Sequence, residues 1–252
     1  IHAMDVLRGF ALLGIFLMNI EAFVSPMGEA MTGLNPSYTG ADRWTDALIY
    51  IFVQGKFFTL FSLLFGMGFA VMAQRAEQAG RPFLPVYLRR TLALLLVGLV
   101  HALLIWWGDI LFSYACVAFA LMLLYLIKPP QKFLPWAAAL VYLLPSGFIL
   151  LFGLASAAAQ MDPKASAEMT KAMADQGAMM VAVTEAQRLA YGAGSYLEAT
   201  AQRWADFKMM MSFAWIMFWP MVLGMFILGS WFVRSGAIAD PARFPTLFSR
   251  LR

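Results

Sequence analysis

The sequence predicts an all-α, polytopic membrane protein with about six transmembrane helices. Hydrophobic residues make up 62% of the 252 positions and charged residues only 13%, with a mean hydropathy of +0.73. A soluble globular domain is about 25% charged and could not bury this much apolar surface. The apolar runs are long and continuous, whereas the strands of a membrane β-barrel alternate apolar and polar positions. The chain is therefore expected to cross a lipid bilayer as helices.

Six apolar runs give the expected elements, because about 20 residues cross the hydrocarbon core. They form a single membrane domain over 1–252, with spans at about 3–23, 57–73, 91–107, 109–127, 133–157 and 209–233. The first run lacks a small-residue cleavage site, so it is expected to be a retained helix. The second run begins with an interfacial piece that ends near Gly55. Pro220 is expected to kink the sixth span.

The segment 160–208 is polar and carries helix-start signals. Asp162 followed by Pro163 is typical of an N-cap with proline at the first helical position. Ser195 and Glu198 have the spacing of a capping box. This predicts a partly helical segment between the fifth and sixth spans.

The orientation follows from lysine and arginine, which favour the cytoplasmic side of short loops. The segment 160–208 has more acidic than basic residues, so it is expected outside the cytoplasm, with both termini in the cytoplasm. The net charge of +4 is explained by these loops and not by nucleic acid. The expected cytoplasmic cations are Arg8, Arg75, Arg81, Arg89, Arg90, Lys128, Lys132, Arg234, Arg243, Arg250 and Arg252.

Four polar residues are expected at depth in the membrane. His101 lies 11 residues after Arg90, and Asn19 lies 11 after Arg8. At 1.5 Å per helical residue, each is about 16 Å from the cytoplasmic boundary. Lys56 and Asp109 enter their spans from the other side, so all four are expected to converge. Polar groups at such depth are costly and mark function.

Each candidate also has a structural interpretation. His101 either takes part in chemistry or hydrogen-bonds a neighbour and stitches the bundle. Asp109 follows Gly108 and is either an N-cap, a partner of His101, or both. Lys56 is also explained by snorkelling, and Asn19 by interhelical hydrogen bonding. Asp5 with Arg8 fits a surface pair, and Arg89 with Arg90 a topology anchor.

These motifs together resemble the YeiB-like family of bacterial inner-membrane proteins, a family largely of unknown function. The resemblance is good over about 3–125 and looser from Gly194 to Arg203. Its structural motif residues include Asp5, Gly9, Gly55, Gly66 and Gly108. The other segments that carry it are Lys56-Phe57, Leu60–Gly66, Arg89-Arg90, Gly98–His101 and Asp109–Leu111 with Tyr114.

The opening Asp5–Gly9 helix with Asn19 is also distantly similar to heparan-α-glucosaminide N-acetyltransferase and the transmembrane acyltransferase superfamily. That resemblance implies transfer of an acyl group from cytoplasmic acyl-CoA to an acceptor on the far side. The acetyltransferase has its catalytic histidine after the first span, and this chain has none between Asn19 and Lys56. Members of the YeiB-like family continue with more membrane helices, so the chain is expected to be a fragment.

The leading hypothesis is therefore an acyltransferase that acts on an extracytoplasmic hydroxyl or amine. His101 would be the base and Asp109 would orient it or hold the acceptor. The predicted substrate- or donor-binding residues are Arg8, Asn19, Lys56, Arg89, Arg90 and Arg203, of which Asn19 or Lys56 would stabilise the oxyanion.

A transporter or channel, in which His101 and Asp109 relay protons or bind a solute, is the alternative, and a non-catalytic membrane subunit is the third. No tightly bound cofactor and no metal site is expected, since the chain has one cysteine and His2 and His101 are far apart. Acyl-CoA is the one co-substrate implied, and the lipid bilayer is the expected partner. The acyl chain, the acceptor and the oligomeric state stay open.

Overall fold

The computed structural model describes residues 2–30, 33–35, 37–240, 242, 244, 245 and 249, and these ranges are helical with no β-strand. Arg243, Arg250 and Arg252, which the orientation argument includes, lie outside the described residues. Two π-helices, His101–Ile105 and Leu189–Ala193, and a 3₁₀-helix, Gln131–Phe133, interrupt the α-helices. The described α-helices are α1 (His2–Val24), α2 (Met27–Ala30), α3 (Gly40–Phe52), α4 (Lys56–Gln78), α5 (Phe83–Val100), α6 (Leu111–Ile127), α7 (Leu134–Ala159), α8 (Pro163–Arg188), α9 (Tyr196–Met217) and α10 (Trp219–Arg234).

Several of these helices are long and apolar enough to cross a membrane. Within the described ranges they are Ala3–Val24, Gly40–Gln78, Phe83–Ile105 and Gln131–Ala159. The pair α9 and α10, bent by 51°, adds a fifth candidate if the two form one broken span. The apolar helix α6 is shorter, with 17 residues. The chain is thus an all-helical protein with four or five helices suited to a bilayer, which confirms the predicted class.

Helix boundaries extend beyond the predicted spans on the basic side. The polar segment 74–90 is mostly helical, because α4 continues to Gln78 and α5 begins at Phe83. Arginine and glutamine are good helix formers, so a helix need not end where its apolar residues end. Arg75 and Arg90 consequently stand on the neighbouring ends of α4 and α5.

The break expected at Gly55 is present. The helix α3 ends at Phe52 and α4 begins at Lys56, with Gly55 at φ +76°. This left-handed conformation favours glycine, because a Cβ would meet the following carbonyl. Trp44 and Leu48 of α3 are exposed, as an interfacial helix requires.

Close contact between α4 and α10 forms the centre of the bundle. A Cβ on Gly66 would lie 2.1 Å from the carbonyl oxygen of Phe226, and one on Gly229 would lie 2.0 Å from that of Leu63. Small residues let helix backbones approach in this way. Phe65 stacks on Phe226 with ring centroids 4.4 Å apart. The close approach of α10 thus explains why the predicted motif residue Gly66 is a glycine.

Pro220 bends the last candidate span, as expected. The helix α9 ends at Met217, α10 begins at Trp219, and the two axes differ by 51°. Proline has no N–H to donate and its ring clashes with the carbonyl four residues before it, so a helix kinks or breaks there.

The segment 160–208 folds onto the rest of the chain through a buried carboxylate. Asp206 is 1% exposed and accepts hydrogen bonds from Gln187 and Gln202 at 2.9 and 2.8 Å, and from the hydroxyl of Tyr191. Gln187 in turn accepts the backbone N–H of Met27 at 2.9 Å. Burial and the Asp206 carboxylate raise the pKa of Tyr191. The helices α2, α8 and α9 are joined through this network.

The predicted helix starts of this segment are confirmed. The Asp162 carboxylate accepts the N–H of Lys164 at 3.0 Å, with Pro163 at the first position of α8. Ser195 and Glu198 form both hydrogen bonds of a capping box at the start of α9. The first cap fixes where α8 begins and the second where α9 begins, which positions side chains of α9 against the first π-helix.

Candidate functional site

A hydrogen-bonded histidine and aspartate lie where α5 and α6 meet. His101 Nδ1 is 2.8 Å from Asp109 Oδ2, and the other carboxylate oxygen accepts the N–H of Phe112 at 2.7 Å. An ionised Asp109 only accepts hydrogen bonds, so opposite such a carboxylate Nδ1 is the donor, and in the neutral imidazole the lone pair of Nε2 is then left for another partner. The Asp109 side chain is fully buried, whereas that of His101 is 31% exposed. Asp109 is thus both a first-turn cap of α6 and the partner of the imidazole.

The turn between the two helices is unusually tight. A Cβ on Gly98 would lie 2.3 Å from the backbone nitrogen of Phe112, so only glycine allows α5 and α6 to approach here. The first π-helix begins at His101, and the N–H of Trp106 bonds the carbonyl of His101 at 2.8 Å. The chain is extended at Trp106, with φ −154° and ψ 131°. This geometry returns the chain to Asp109 within hydrogen-bond reach of His101.

Trp106 closes the side of this turn that faces α1. Its indole N–H donates to the carbonyl of Ala22 at 3.3 Å, and its ring lies 4.7 Å from that of Phe23. A Cβ on Gly108 would lie 2.3 Å from the same indole ring. The predicted motif residue Gly108 is therefore needed to seat Trp106.

A cavity of about 630 Å³ lies between α1, α4 and α5. One part is lined by charged side chains from three helices, and the rest by aromatic and aliphatic ones such as Phe61, Phe65 and Leu94. The charged residues are Asp5, Arg8, Arg75 and Arg90, three cations and one anion. Such an excess of guanidinium groups suits phosphate, which arginine binds with paired N–H donors.

Arg8 reaches this cavity through a niche on α4. Its guanidinium donates to Asp5 at 3.0 Å and approaches the carbonyl of Leu64 at 3.4 Å. A Cβ on Gly68 would lie 2.4 Å from the guanidinium nitrogen, so glycine makes room for the side chain. The predicted pair of Asp5 and Arg8 is present and leaves donors of Arg8 facing the cavity.

Tyr87 places a buried hydroxyl in the cavity wall. The residue is 4% exposed, and its hydroxyl has no hydrogen-bond partner among the described residues. The hydroxyl is fully enclosed and lies beside Thr91 on the next turn of α5, so the ring of Tyr87, and not its oxygen, lines the cavity.

The cavity and the histidine share one face of α5. Tyr87, Thr91, Leu94, Gly98 and His101 recur at intervals of three or four residues, which aligns them on a helix. From Arg90 to His101 the rise is about 16 Å. The structure thus places the arginines and the imidazole at two levels of the same helix face.

Several predicted site residues do not join either group. Arg89 is exposed and does not line the cavity, although Arg90 does. Lys56 is exposed and its Nζ donates to the carbonyl of Gln54 at 3.2 Å. Asn19 is half-buried on α1. Among the described residues, neither Asn19 nor Lys56 hydrogen-bonds His101, so their predicted convergence on it is not seen.

Arg203 lies against the first π-helix and not with the cavity arginines. Its Nε donates to the carbonyl of Leu103 at 2.9 Å, and the residue is 7% exposed. The predicted motif residue Gly9 has open space where a Cβ would stand, so its packing does not require glycine.

Sequence reasoning missed two cavity residues, Arg75 and Tyr87. Arg75 was counted only as a topology cation, and Tyr87 had no polar neighbour in sequence except Arg89 and Arg90. A helical-face analysis of α5 would have aligned Tyr87 with His101. No group of three or more metal-ligating side chains occurs in the part of the chain that the structure describes.

Ser62 and Tyr114 form a second buried polar contact between α4 and α6. Their hydroxyls are 2.6 Å apart, and both lie within hydrogen-bond distance of the Phe58 carbonyl. The Ser62 hydroxyl also bonds the backbone of its own helix, at 2.7 Å from the Phe58 carbonyl. This contact pins α6 to α4 beside the aromatic part of the cavity.

Comparison with known proteins finds relatives over most of the chain. "Uncharacterized protein YxaH" of Bacillus subtilis is 37% identical over 219 residues, which is 84% of this chain and 50% of that protein. "Uncharacterized protein YeiB" of Escherichia coli is 40% identical over 157 residues, or 61% of this chain and 38% of that protein. The resemblance to the YeiB-like family is confirmed. A third relative, from Bacillus acidopullulyticus, is 36% identical over 128 residues.

The chain spans at most about half the length of these YeiB-like relatives. No family model matches the sequence, and no solved structure matches it. The names of these relatives state no activity. A function for this YeiB-like chain must therefore be argued from the geometry of its own site.

Proposed function

We propose that this protein is a membrane-embedded acyltransferase. It would move an acyl group from cytoplasmic acyl-CoA to an extracytoplasmic hydroxyl or amine. The observation that carries the proposal is the 2.8 Å pairing of His101 Nδ1 with Asp109, which leaves Nε2 available as a base. The arginine-lined cavity three helical turns away supports it, because an acyl-CoA donor carries phosphates.

The proposal includes six spans that cross a bacterial inner membrane, with both termini on its cytoplasmic side. The four long apolar helices, the bent α9–α10 pair and the 17-residue α6 would supply the six. The lysine and arginine bias supports the orientation, and the relatives come from bacteria. In this arrangement the cavity opens to the cytoplasm and the segment 160–208 lies outside.

The donor's phosphates would bind at Arg8, Arg75 and Arg90. These side chains come from α1, α4 and α5, so one anion would join three helices. Arg89 lies outside the cavity, so its predicted role in donor binding has less structural support than the role of Arg90. The acyl-bearing arm would extend along the Tyr87–His101 face, toward the imidazole, and to pass Gly98 it would have to part α5 from α6, whose backbones meet there.

In the reaction, His101 Nε2 takes the proton from the acceptor O–H or N–H. The acceptor's electron pair forms a bond to the thioester carbonyl carbon, and the carbonyl oxygen carries the negative charge of the tetrahedral intermediate. The C–S bond then breaks, its electron pair leaves with sulfur, and the imidazolium returns the proton to the thiolate. Asp109 stabilises the imidazolium throughout, because its carboxylate holds Nδ1–H.

The role of an oxyanion donor stays with Asn19 or Lys56 as a prediction. Both lie away from His101 in this structure, so either one would need a rearrangement of α1 or of the α3–α4 turn to reach the acyl carbonyl.

Transport is the second candidate, and the alignment of polar groups on α5 favours it. A histidine and a buried aspartate at depth can relay protons, and the cavity could admit an anion from the cytoplasm. Acyl transfer requires an acyl donor, whereas transport requires a solute or proton gradient, so the two are separable by ligand.

The test is a titration of the full chain in lipid nanodiscs with acetyl-CoA, palmitoyl-CoA, CoA and inorganic pyrophosphate, followed by Tm. We expect a saturable rise with an acyl-CoA. Arg90→Gln should weaken apparent binding about tenfold or more, as expected for losing a charge-assisted hydrogen bond.

Arg89→Gln is the matched control, because it removes the same charge one residue away and outside the cavity. His101→Gln should bind the donor normally. No rise with any acyl-CoA in folded protein would contradict acyl transfer, and a rise with pyrophosphate alone would favour a phosphate site without acyl specificity.

A further inference from the structure

The first π-helix ends with carbonyls that receive no hydrogen bond from within the helix. Its i→i+5 hydrogen bond joins Trp106 N–H to the His101 carbonyl, and the backbone is extended from Trp106 onward. The carbonyls of Leu103 and Leu104 therefore lack a following helical N–H. An unsatisfied carbonyl is costly in a membrane, where water is scarce.

The helix α9 supplies both missing donors. Arg203 Nε donates to the Leu103 carbonyl at 2.9 Å, and the Tyr196 hydroxyl donates to the Leu104 carbonyl at 2.8 Å. The Arg203 guanidinium lies 5.1 Å from the centre of the Tyr196 ring and also donates to Thr200 at 2.7 Å. The guanidinium is thus occupied by protein groups on several sides.

The helix α9, which supplies these hydrogen-bond donors, is itself held in place by other contacts. The Ser195–Glu198 capping box sets its first turn, and the buried Asp206 ties it to Gln187 and Tyr191. Arg203 stands one turn before Asp206, between these two anchors. Its position relative to the first π-helix is therefore set from both ends.

We propose that Arg203 and Tyr196 are positioning residues for His101. They hold the π-helical turn in the register that presents Nδ1 of His101 to Asp109. This assignment differs from donor binding, which the sequence predicted for Arg203. Its catalytic consequence rests on the proposed acyl transfer, but the positioning itself does not.

The register matters because a π-turn and an α-turn differ by one residue per hydrogen bond. If the turn relaxed to α-helical bonding, the residues after it would rotate by about 100° relative to His101. Asp109 lies after the turn, so the rotation would carry it away from His101, against the packing of Phe112 on Gly98. The hydrogen bond between His101 and Asp109 would then be lost.

The test is nitrogen-15 NMR of the full chain in nanodiscs, labelled at histidine. A His2→Gln background leaves His101 as the one imidazole. We expect the Nδ1–H tautomer with a slowly exchanging proton in the parent protein. Tyr196→Phe and Arg203→Lys should each increase the Nε2–H tautomer and speed exchange of the Nδ1 proton about tenfold.

Arg81→Gln is the control, because Arg81 is exposed and far in sequence from both turns. Tyr196 is 65% exposed and its variant removes only one hydroxyl, so it decides the matter if Arg203→Lys fails to fold. An unchanged His101 spectrum in Tyr196→Phe would overturn the proposal. So would a parent protein without the Nδ1–H tautomer.

The spectra need no acyl donor, so they separate the two proposals. A changed tautomer with no acyl-CoA binding would retain the positioning role and refute acyl transfer. Where transfer is measurable, Tyr196→Phe should lower kcat and leave the donor KM unchanged, whereas loss of a donor-binding residue would raise KM.

Discussion

The His101–Asp109 pair and the arginine-lined cavity differ in how completely their polar groups are satisfied. Both oxygens of Asp109 are hydrogen-bonded, and one of them holds Nδ1 of His101. The cavity instead carries an excess of guanidinium charge, with three arginines against Asp5.

This difference separates a preorganised group from a receptive one. The pair is held through both carboxylate oxygens before any ligand arrives, which the proposed role as a base requires. The cavity gains partners for its guanidinium groups only from a ligand that brings anionic oxygens. One face of α5 carries both, and the backbone contact between Gly98 and Phe112 lies between them, so a ligand held in the cavity would reach the proposed base only if α5 and α6 part there.

The largest expected effect comes from breaking the pair. Asp109→Asn cannot accept both the imidazole and the Phe112 N–H as the carboxylate does, so we expect the His101 tautomer to change. Release of CoA from an acyl-CoA, measured in membranes that contain the protein, should fall about 10²-fold or more. An unchanged rate would show that the pair is structural only.

Substitution of a cavity arginine should lower the affinity for the acyl donor and leave the stability of the free protein unchanged. Arg8→Gln removes a cation that faces the cavity, and the Asp5–Arg8 pair is exposed enough to contribute little to folding. We expect donor affinity to fall about tenfold with Tm of the free protein unchanged within error. A large loss of Tm with unaltered affinity would assign Arg8 to packing.

Tyr87→Phe should sharpen the contrast, because it removes a hydroxyl behind the cavity wall and keeps the ring that lines the cavity. The hydroxyl is enclosed beside Thr91, so the free energy of unfolding should change by about 1 kcal/mol or less. Donor affinity should stay the same, since a bound ligand does not reach this oxygen. Thermal melts with and without saturating acyl-CoA measure both, and a severalfold loss of donor affinity would show that the ligand contacts the hydroxyl.

The smallest effect concerns the network that anchors α9. The pKa of Tyr191 is raised above 10.0 by burial and by Asp206, so the folded state holds this proton more tightly than the unfolded state does. Its stabilising contribution is full below about pH 10 and is lost as pH rises above that value. Tyr191→Phe should make stability less sensitive to alkaline pH. An identical pH profile would place the sensitivity elsewhere.

The sequence was most informative where one physical constraint dominates. Composition alone predicts a helical membrane protein. Local backbone chemistry predicts the helix breaks and starts, and the structure has each of them at the predicted residue: Gly55, Pro220, Asp162 and Ser195. Asp109 was also predictable, because a carboxylate after glycine at a helix start has few other roles.

The partners of side chains far apart in sequence were not predictable. Arg203 and Leu103 are 100 residues apart, and nothing in either segment signals a π-helix or its open carbonyls. Arg89 and Arg90 are neighbouring residues of the same type. Which of them lines the cavity depends on how α5 is rotated about its axis, and the structure shows that it is Arg90. Depth along a helix is readable from spacing, whereas the face is fixed by packing.

The most direct measurement of the central claim records the His101 imidazole while acyl-CoA is added to the labelled protein in nanodiscs. The account predicts a saturable change in its nitrogen-15 shifts, weakened in Arg90→Gln and retained in Arg89→Gln. CoA lacking the acyl group should bind with a smaller change. A bound acyl-CoA that leaves His101 unaffected would show that the cavity and the base do not form one site.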